Sequence, residues 1–202
     1  SSRADYGLLK ELILKINQSK KLNCHLSVTG SHLSKFHGNT FNEIIVDKLK
    51  ISSKIKTLRS GHENNDISKA FSEGVYKYSK LFKRIKPDLV LVLGDKFETL
   101  ASVISAMLSR LPICHLHGGE ITEGAIDDVI RHSITKISHI HFASNKQHQD
   151  RIIQMGENPN FVFNVGSVGL ENIKNFNSKS KDYFEKKYRI SFSKKTILIC
   201  FH

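Results

Sequence analysis

Carboxylates, imidazoles and glycines gather at two points of this chain. Gly94-Asp95-Lys96-Phe97-Glu98 follows the apolar run 89–93, and His115-Leu116-His117-Gly118-Gly119-Glu120 follows Leu111-Pro112-Ile113-Cys114. Positioned carboxylates can take up or give protons. An imidazole titrates near ~6.5 and does the same close to neutrality. Glycines let a ligand approach the backbone closely. A third group is Asp127-Asp128-Val129-Ile130-Arg131-His132. At about 100° per residue, Asp127 and Arg131 share one flank of an apolar stripe made by Ile126, Val129, Ile130, Ile134 and Ile137. Asp127 and Arg131 are expected to pair at i,i+4 and to look sideways into a crevice, with Asp128 and Thr135 pointing the other way.

The elements that must position these residues follow from the hydrophobic pattern. Both apolar runs are dense, as in strands buried on two faces of a parallel sheet, and a helical pattern follows each. Parallel strands end at one edge, and open α/β sheets bind ligands there. Further strands are expected at 24–28, 55–58, 140–143, 161–165 and 196–201. Helical stripes are Leu8, Leu9, Leu12, Ile13 and Ile16; 41–47; 67–85; and Leu100, Val103, Ile104, Met107, Leu108 and Leu111. The expected class is α/β with a Rossmann-like parallel sheet. Ser1-Ser2-Arg3-Ala4-Asp5 has loop chemistry with no strand ahead of it, although such sheets normally open with one. The Lys/Ser-rich piece 175–195 is the expected hinge, and the chain stops at His202, directly after an apolar run.

Composition narrows the classes. With 31 basic against 19 acidic residues the net charge is +12. The lysines are dispersed, with no arginine-rich tract, so the field suits an anionic small substrate better than RNA. Cys24, Cys114 and Cys200 lie far apart inside apolar runs and read as free thiols of a cytoplasmic protein. No run is long enough to span a membrane and no signal peptide is present. The dinucleotide glycine fingerprint, the phosphate loop and the serine elbow are missing. None of the cysteine-containing metal spacings is present, so no metal and no cofactor is expected. His115 and His117, two apart on a strand, read as a polar site wall.

Taken together, Ser2-Arg3-Ala4-Asp5-Tyr6-Gly7-Leu8-Leu9, Gly94-Asp95-Lys96-Phe97-Glu98, Gly118-Gly119-Glu120, the block from Ile126-Asp127-Asp128 through Arg131-His132 to Lys136, and Gly166-Ser167-Val168-Gly169-Leu170-Glu171 resemble the UDP-N-acetylglucosamine 2-epimerases, UDP-hydrolysing branch, of the sialic and legionaminic acid type. The resemblance covers essentially the whole chain in order. It implies the N-terminal half of a GT-B-like two-domain fold, with residues 1–175 an N-terminal Rossmann-like domain lacking its first strand. Residues 176–202 would then be the crossing segment and the start of a truncated C-terminal domain. The implied reaction converts UDP-N-acetylglucosamine to N-acetylmannosamine and UDP through a glycal. A 2,4-diacetamido-2,4,6-trideoxy sugar is the alternative substrate.

The implied site is Asp95 and Asp127 as acidic active-site groups, Arg131 and Arg3 as substrate-binding arginines, and His202 as the histidine of the post-crossing motif. Many members carry glutamate where this chain has His117. One extra residue also separates Glu120 from Asp127 relative to the common spacing. Proton transfer therefore falls to His117 or to Glu120. The implied partners are a UDP-sugar, the C-terminal domain and further copies of the chain; nucleic acid and membrane are not expected. The chain by itself is expected to be inactive. Half of a GT-B glycosyltransferase and a basic RNA-binding module are the readings from other classes.

Overall fold

The computed structural model describes residues 1–57, 64–174, 178–193, 195–197 and 199, with the side chains of 64–66 and 174 left aside. His202, Cys200 and residues 175–177 and 194 of the expected hinge lie outside them, while the rest of that 175–195 piece is described and carries a helix at Lys181–Tyr188. Strands and helices alternate as α1 (Arg3–Gln18), β1 (Ser27–Thr29), α2 (Phe41–Val46), β2 (Ser53–Ile55), α3 (Asn64–Ile85), β3 (Val90–Leu93), α4 (Phe97–Leu108), β4 (Ile113–Leu116), α5 (Ile126–Ile137), β5 (Ile140–Ala143), α6 (Lys146–Gln154), β6 (Val162–Asn164), α7 (Leu170–Lys174) and α8 (Lys181–Tyr188).

All strand pairings among the described residues are parallel. They form two sheets, β1-β2 and β3-β4-β5-β6. In the larger one each strand lies beside its predecessor, joined by a helical crossover, so four carboxyl ends arrive side by side in chain order. The main core packs β3, β4 and α3–α5 through Tyr78, Phe82, Val92, Val103, Ile113 and Ile134. A second core joins α1 and α2 to β1 through Tyr6, Ile13, Val28 and Ile44.

Several boundaries differ from expectation. Arg3 opens α1 instead of lying in a loop. Ser2 is the N-cap, and the Asp5 carboxylate accepts from the Ser2 N–H at 2.7 Å, completing a capping box. The strand expected at 111–114 runs two residues later. Pro112 has no N–H to donate, and its carbonyl accepts from Val90 at 2.9 Å just before the ladder begins. Thr196, Ile197 and Ile199 are exposed and form no strand, and the other residues of that run lie outside the description.

The face of α5 is also corrected. Ile126 and Val129 are exposed, while Arg131, Ile134 and Thr135 are buried. The helix turns its 131/134/135/138 face inward because the Arg131 guanidinium finds acceptors there, which removes the usual penalty for burying a cation. Ile134→Ala is accordingly expected to cost about 2–5 kcal/mol. Ile126→Ala should change stability by no more than about 0.5 kcal/mol. Urea denaturation of the two variants checks the orientation.

Candidate active site

Each strand of the four-stranded sheet hands a group to its carboxyl end. Asp95 follows β3, His117 and Glu120 follow β4, Ser144 follows β5, and Val168 lies beyond β6. Asp95 does not cap α4, whose N-cap is Lys96. Its carboxylate meets the guanidinium of Arg131 instead. Arg131 also donates to the Glu120 carbonyl at 3.1 Å and to Thr122 Oγ1 at 3.0 Å, with Asp128 Oδ1 at 3.4 Å. This is not the expected Asp127–Arg131 pair. Asp127 is exposed on the outer flank of α5 and has no ion-pair partner among the described residues. Inward rotation of Arg131 carries Asp128, three residues earlier, toward it and leaves Asp127 outside. The guanidinium that was expected to touch substrate is engaged by protein acceptors on three segments.

Behind this cluster His115 is fully buried. Burial pushes its imidazole down to about 3, against the pull of the Gly94 carbonyl. The neutral ring donates from Nε2 to that carbonyl at 3.0 Å and meets Thr135 Oγ1 at 3.2 Å through Nδ1. It fastens the β3 tip to α5. Gly118 is required here, since a Cβ would lie 2.9 Å from both His115 Nδ1 and Thr135 Oγ1. The paired wall of His115 and His117 does not form. β4 ends at Leu116, so strand alternation stops before His117.

His117 itself has φ 61°, a left-handed backbone uncommon outside glycine. Such strain persists only where surroundings hold it, and it clusters at functional sites. His117 Nδ1 lies 3.2 Å from Glu120 Oε1. The Val168 N–H points at His117 Nε2 from 3.4 Å. Burial pushes the Glu120 carboxyl up, but hydrogen bonds from His117 and Ser144 and the nearby His117 and His148 outweigh it and hold it at about 2. Glu120 is therefore a carboxylate near neutrality and can only accept. So Nδ1 of His117 carries a proton toward the carboxylate, and Nε2 presents its lone pair to the Val168 N–H. The arrangement is that of an imidazole base oriented by a carboxylate.

Arg3 lies apart from this cluster, paired with Glu43 at 2.7 Å on the surface. Sequence reasoning missed Ser144, Asp128, Thr122 and the Val168 N–H. Ser144 was within its reach, because it directly follows a strand foreseen with the right bounds. Among the described residues no group of His, Cys, Asp and Glu has the geometry of a metal site, and no helix is long and apolar enough to cross a membrane.

The model of the UDP-N-acetylglucosamine 2-epimerase family matches residues 14–202. A UDP-N,N'-diacetylbacillosamine 2-epimerase (hydrolyzing) of Legionella pneumophila is 36% identical over 201 residues, covering 100% of this chain and 53% of the relative. A GDP/UDP-N,N'-diacetylbacillosamine 2-epimerase (hydrolyzing) of Campylobacter jejuni is 39% identical over 202 residues, covering 100% of this chain and 52% of the relative. Among solved structures, UDP-GlcNAc 2-epimerase from Neisseria meningitidis bound to UDP-GlcNAc superposes with a TM-score of 0.78 at 17% identity, over 93% of this chain and 51% of that one. The chain thus spans about half the length of the relatives it matches, and the shared fold is GT-B-like.

The depressed Glu120 carboxyl has a consequence for stability. Its folded value, about 2, lies below the ordinary 4.5. Its contribution is therefore complete above 4.5 and is lost as the pH falls toward 2. Wild type should exceed Glu120→Gln in stability at pH 7, and the gap should close across that window. Denaturant titrations at several pH values measure it.

Proposed function

The chain belongs to the UDP-N-acetylglucosamine 2-epimerase family, and we propose that it forms the N-terminal half of an enzyme that hydrolyses a UDP-2-acetamido sugar with inversion at C2. The observation that carries the reading is the His117–Glu120 pair at the tip of β4. It supplies a base beside the sheet edge where α/β folds bind ligands. The C2 proton is weakly acidic and needs a positioned acceptor.

In this reading His117 Nε2 takes the C2 proton, displacing the long contact from Val168. The C2–H electrons become the C1–C2 double bond of a glycal, and UDP leaves with the C1–O pair. Water then adds its oxygen to C1, a proton returns to the opposite face of C2, and the free 2-epimeric sugar departs. Asp95 is the second acid/base group, held by Arg131. The +12 charge draws the diphosphate in. Asp127, Arg3 and His202 keep the roles the resemblance implies only as proposals. Asp127 and Arg3 face outward in this half, and His202 lies outside the described residues.

The remaining half of the enzyme supplies the opposite wall of the cleft. Purified residues 1–202 are therefore expected to show no turnover, while the full-length parent releases UDP and free sugar without an acceptor. UDP-N-acetylglucosamine and a 2,4-diacetamido sugar both fit this reading, since relatives of similar identity carry names of either kind. Side-by-side kcat/KM values on both substrates decide between them.

Asp95→Asn and His117→Gln in the full-length enzyme should each lower kcat by about 10²–10⁴-fold. His117→Gln should abolish exchange of the C2 proton with deuterated water. Exchange that survives His117→Gln but disappears in Glu120→Gln reverses the two roles.

A further inference from the structure

Two further side chains, Ser144 and His148, complete the His117–Glu120 pair. Ser144, the first residue beyond β5, donates its hydroxyl to Glu120 Oε1 at 2.7 Å. Ser144 Oγ in turn lies 2.9 Å from Nδ1 of His148. Glu120 Oε1 is thus shared by His117 and Ser144, with His148 behind the serine at 3.9 Å from the carboxylate.

The protons in this row can be counted. A serine hydroxyl has one hydrogen. The carboxylate takes it, because the charge-assisted bond is the stronger. Ser144 Oγ must then accept from His148, so Nδ1 of His148 carries a proton. The sequence runs from His148 Nδ1–H to Ser144 Oγ–H to Glu120 Oε1, and from the other side His117 Nδ1–H reaches the same oxygen. Every donor in the row has an acceptor, and the Nε2 lone pair of His117 faces away from the row, toward the Val168 N–H. Without the serine, Glu120 loses one of two donors and is free to turn. His117 can then exchange tautomers, which places a hydrogen on the nitrogen that must receive the substrate proton.

The backbone is shaped to bring His148 to this position. Asn145 caps α6 by accepting from the His148 N–H at 2.9 Å, so His148 sits in the first turn with a fixed direction. Gly119 is left-handed at φ 74°, and a Cβ there would stand 2.4 Å from the His148 carbonyl oxygen. Arg151, one turn further, donates to the Gly119 carbonyl. The β4 loop and the start of α6 are therefore locked face to face, with the serine between them.

We propose that Ser144 and His148 are positioning residues of this site, which act through Glu120 to hold His117 with its proton on Nδ1 and its lone pair on Nε2. The proposal rests on the epimerase reading for its kinetic consequence but not for its proton arrangement, so the two can be tested apart. In the full-length protein, Ser144→Ala and His148→Leu should lower kcat roughly tenfold or more with KM little changed, the size expected when a buried hydrogen bond is left unmade. Ser144→Thr keeps the hydroxyl, and His148→Asn keeps a donor near Nδ1; both should recover most of the rate. Nitrogen-15 spectra of the imidazoles provide the second readout. Wild type should show His117 and His148 as Nδ1–H tautomers, and Ser144→Ala and His148→Leu should move His117 toward a mixture. A kcat within threefold of wild type together with an unmoved His117 tautomer overturns the proposal and leaves the epimerase reading intact. A moved tautomer in a protein that turns over no UDP-sugar sustains the positioning role and removes the epimerase reading. If Ser144→Ala fails to fold, the His148 series decides by the same two readouts.

Discussion

A buried guanidinium sets the terms for this fold. Arg131 is only 5% exposed, and a cation so placed is tolerable only when its N–H groups are met by acceptors. Those acceptors come from three segments: the Asp95 carboxylate beyond β3, the Glu120 carbonyl and Thr122 hydroxyl from the loop after β4, and Asp128 one turn back on α5. Removing one partner of such a pair commonly costs about 3–5 kcal/mol. The arginine thereby holds two strand tips and a helix in one arrangement. It also connects the two halves of the site, because it grips the backbone of the residue whose side chain orients His117.

Electrostatics then divides the labour between chemically similar groups. Three histidines lie close together and differ by environment. His115 is sealed behind the sheet edge, kept neutral by burial, and serves as a clamp between Gly94 and Thr135. His148 is lowered by burial, with Glu120 pulling the other way. His117 alone carries a strained backbone and presents its Nε2 away from its carboxylate. Glu120, held at about 2, stays charged near neutrality. It is the fixed acceptor in the pair, on which the His117 imidazole is oriented.

The glycines after His117 are the steric condition for this division. Gly118 admits the contact between His115 and Thr135, and Gly119 admits the start of α6. A side chain at either would push apart the elements that carry the clamp, the base and its orienting row. The dense ligand edge and the tight loop are one feature, produced by four parallel strands that end together and by a connection with almost no side-chain volume.

By itself the sequence determined the class, the alternation of elements, the parallel edge and the loaded strand tips at Asp95, His117 and Glu120. These depend on local periodicity and on short motifs, both of which are written in neighbouring residues. It also determined the family, through ordered motifs along the chain. Tertiary structure decided what helical spacing leaves open. Periodicity placed Ile126, Val129, Ile130, Ile134 and Ile137 of α5 inward; the structure keeps Ile130, Ile134 and Ile137 at the core but buries Arg131 beside them and exposes Ile126 and Val129. The rotation of a helix about its axis is set by what its neighbours offer, and here they offer acceptors. The same rotation exchanged Asp127 for Asp128 as partner of Arg131. His148 and the Val168 N–H entered the site only through the β4-β5-β6 register, because their nearness to His117 is spatial and leaves no mark in local sequence.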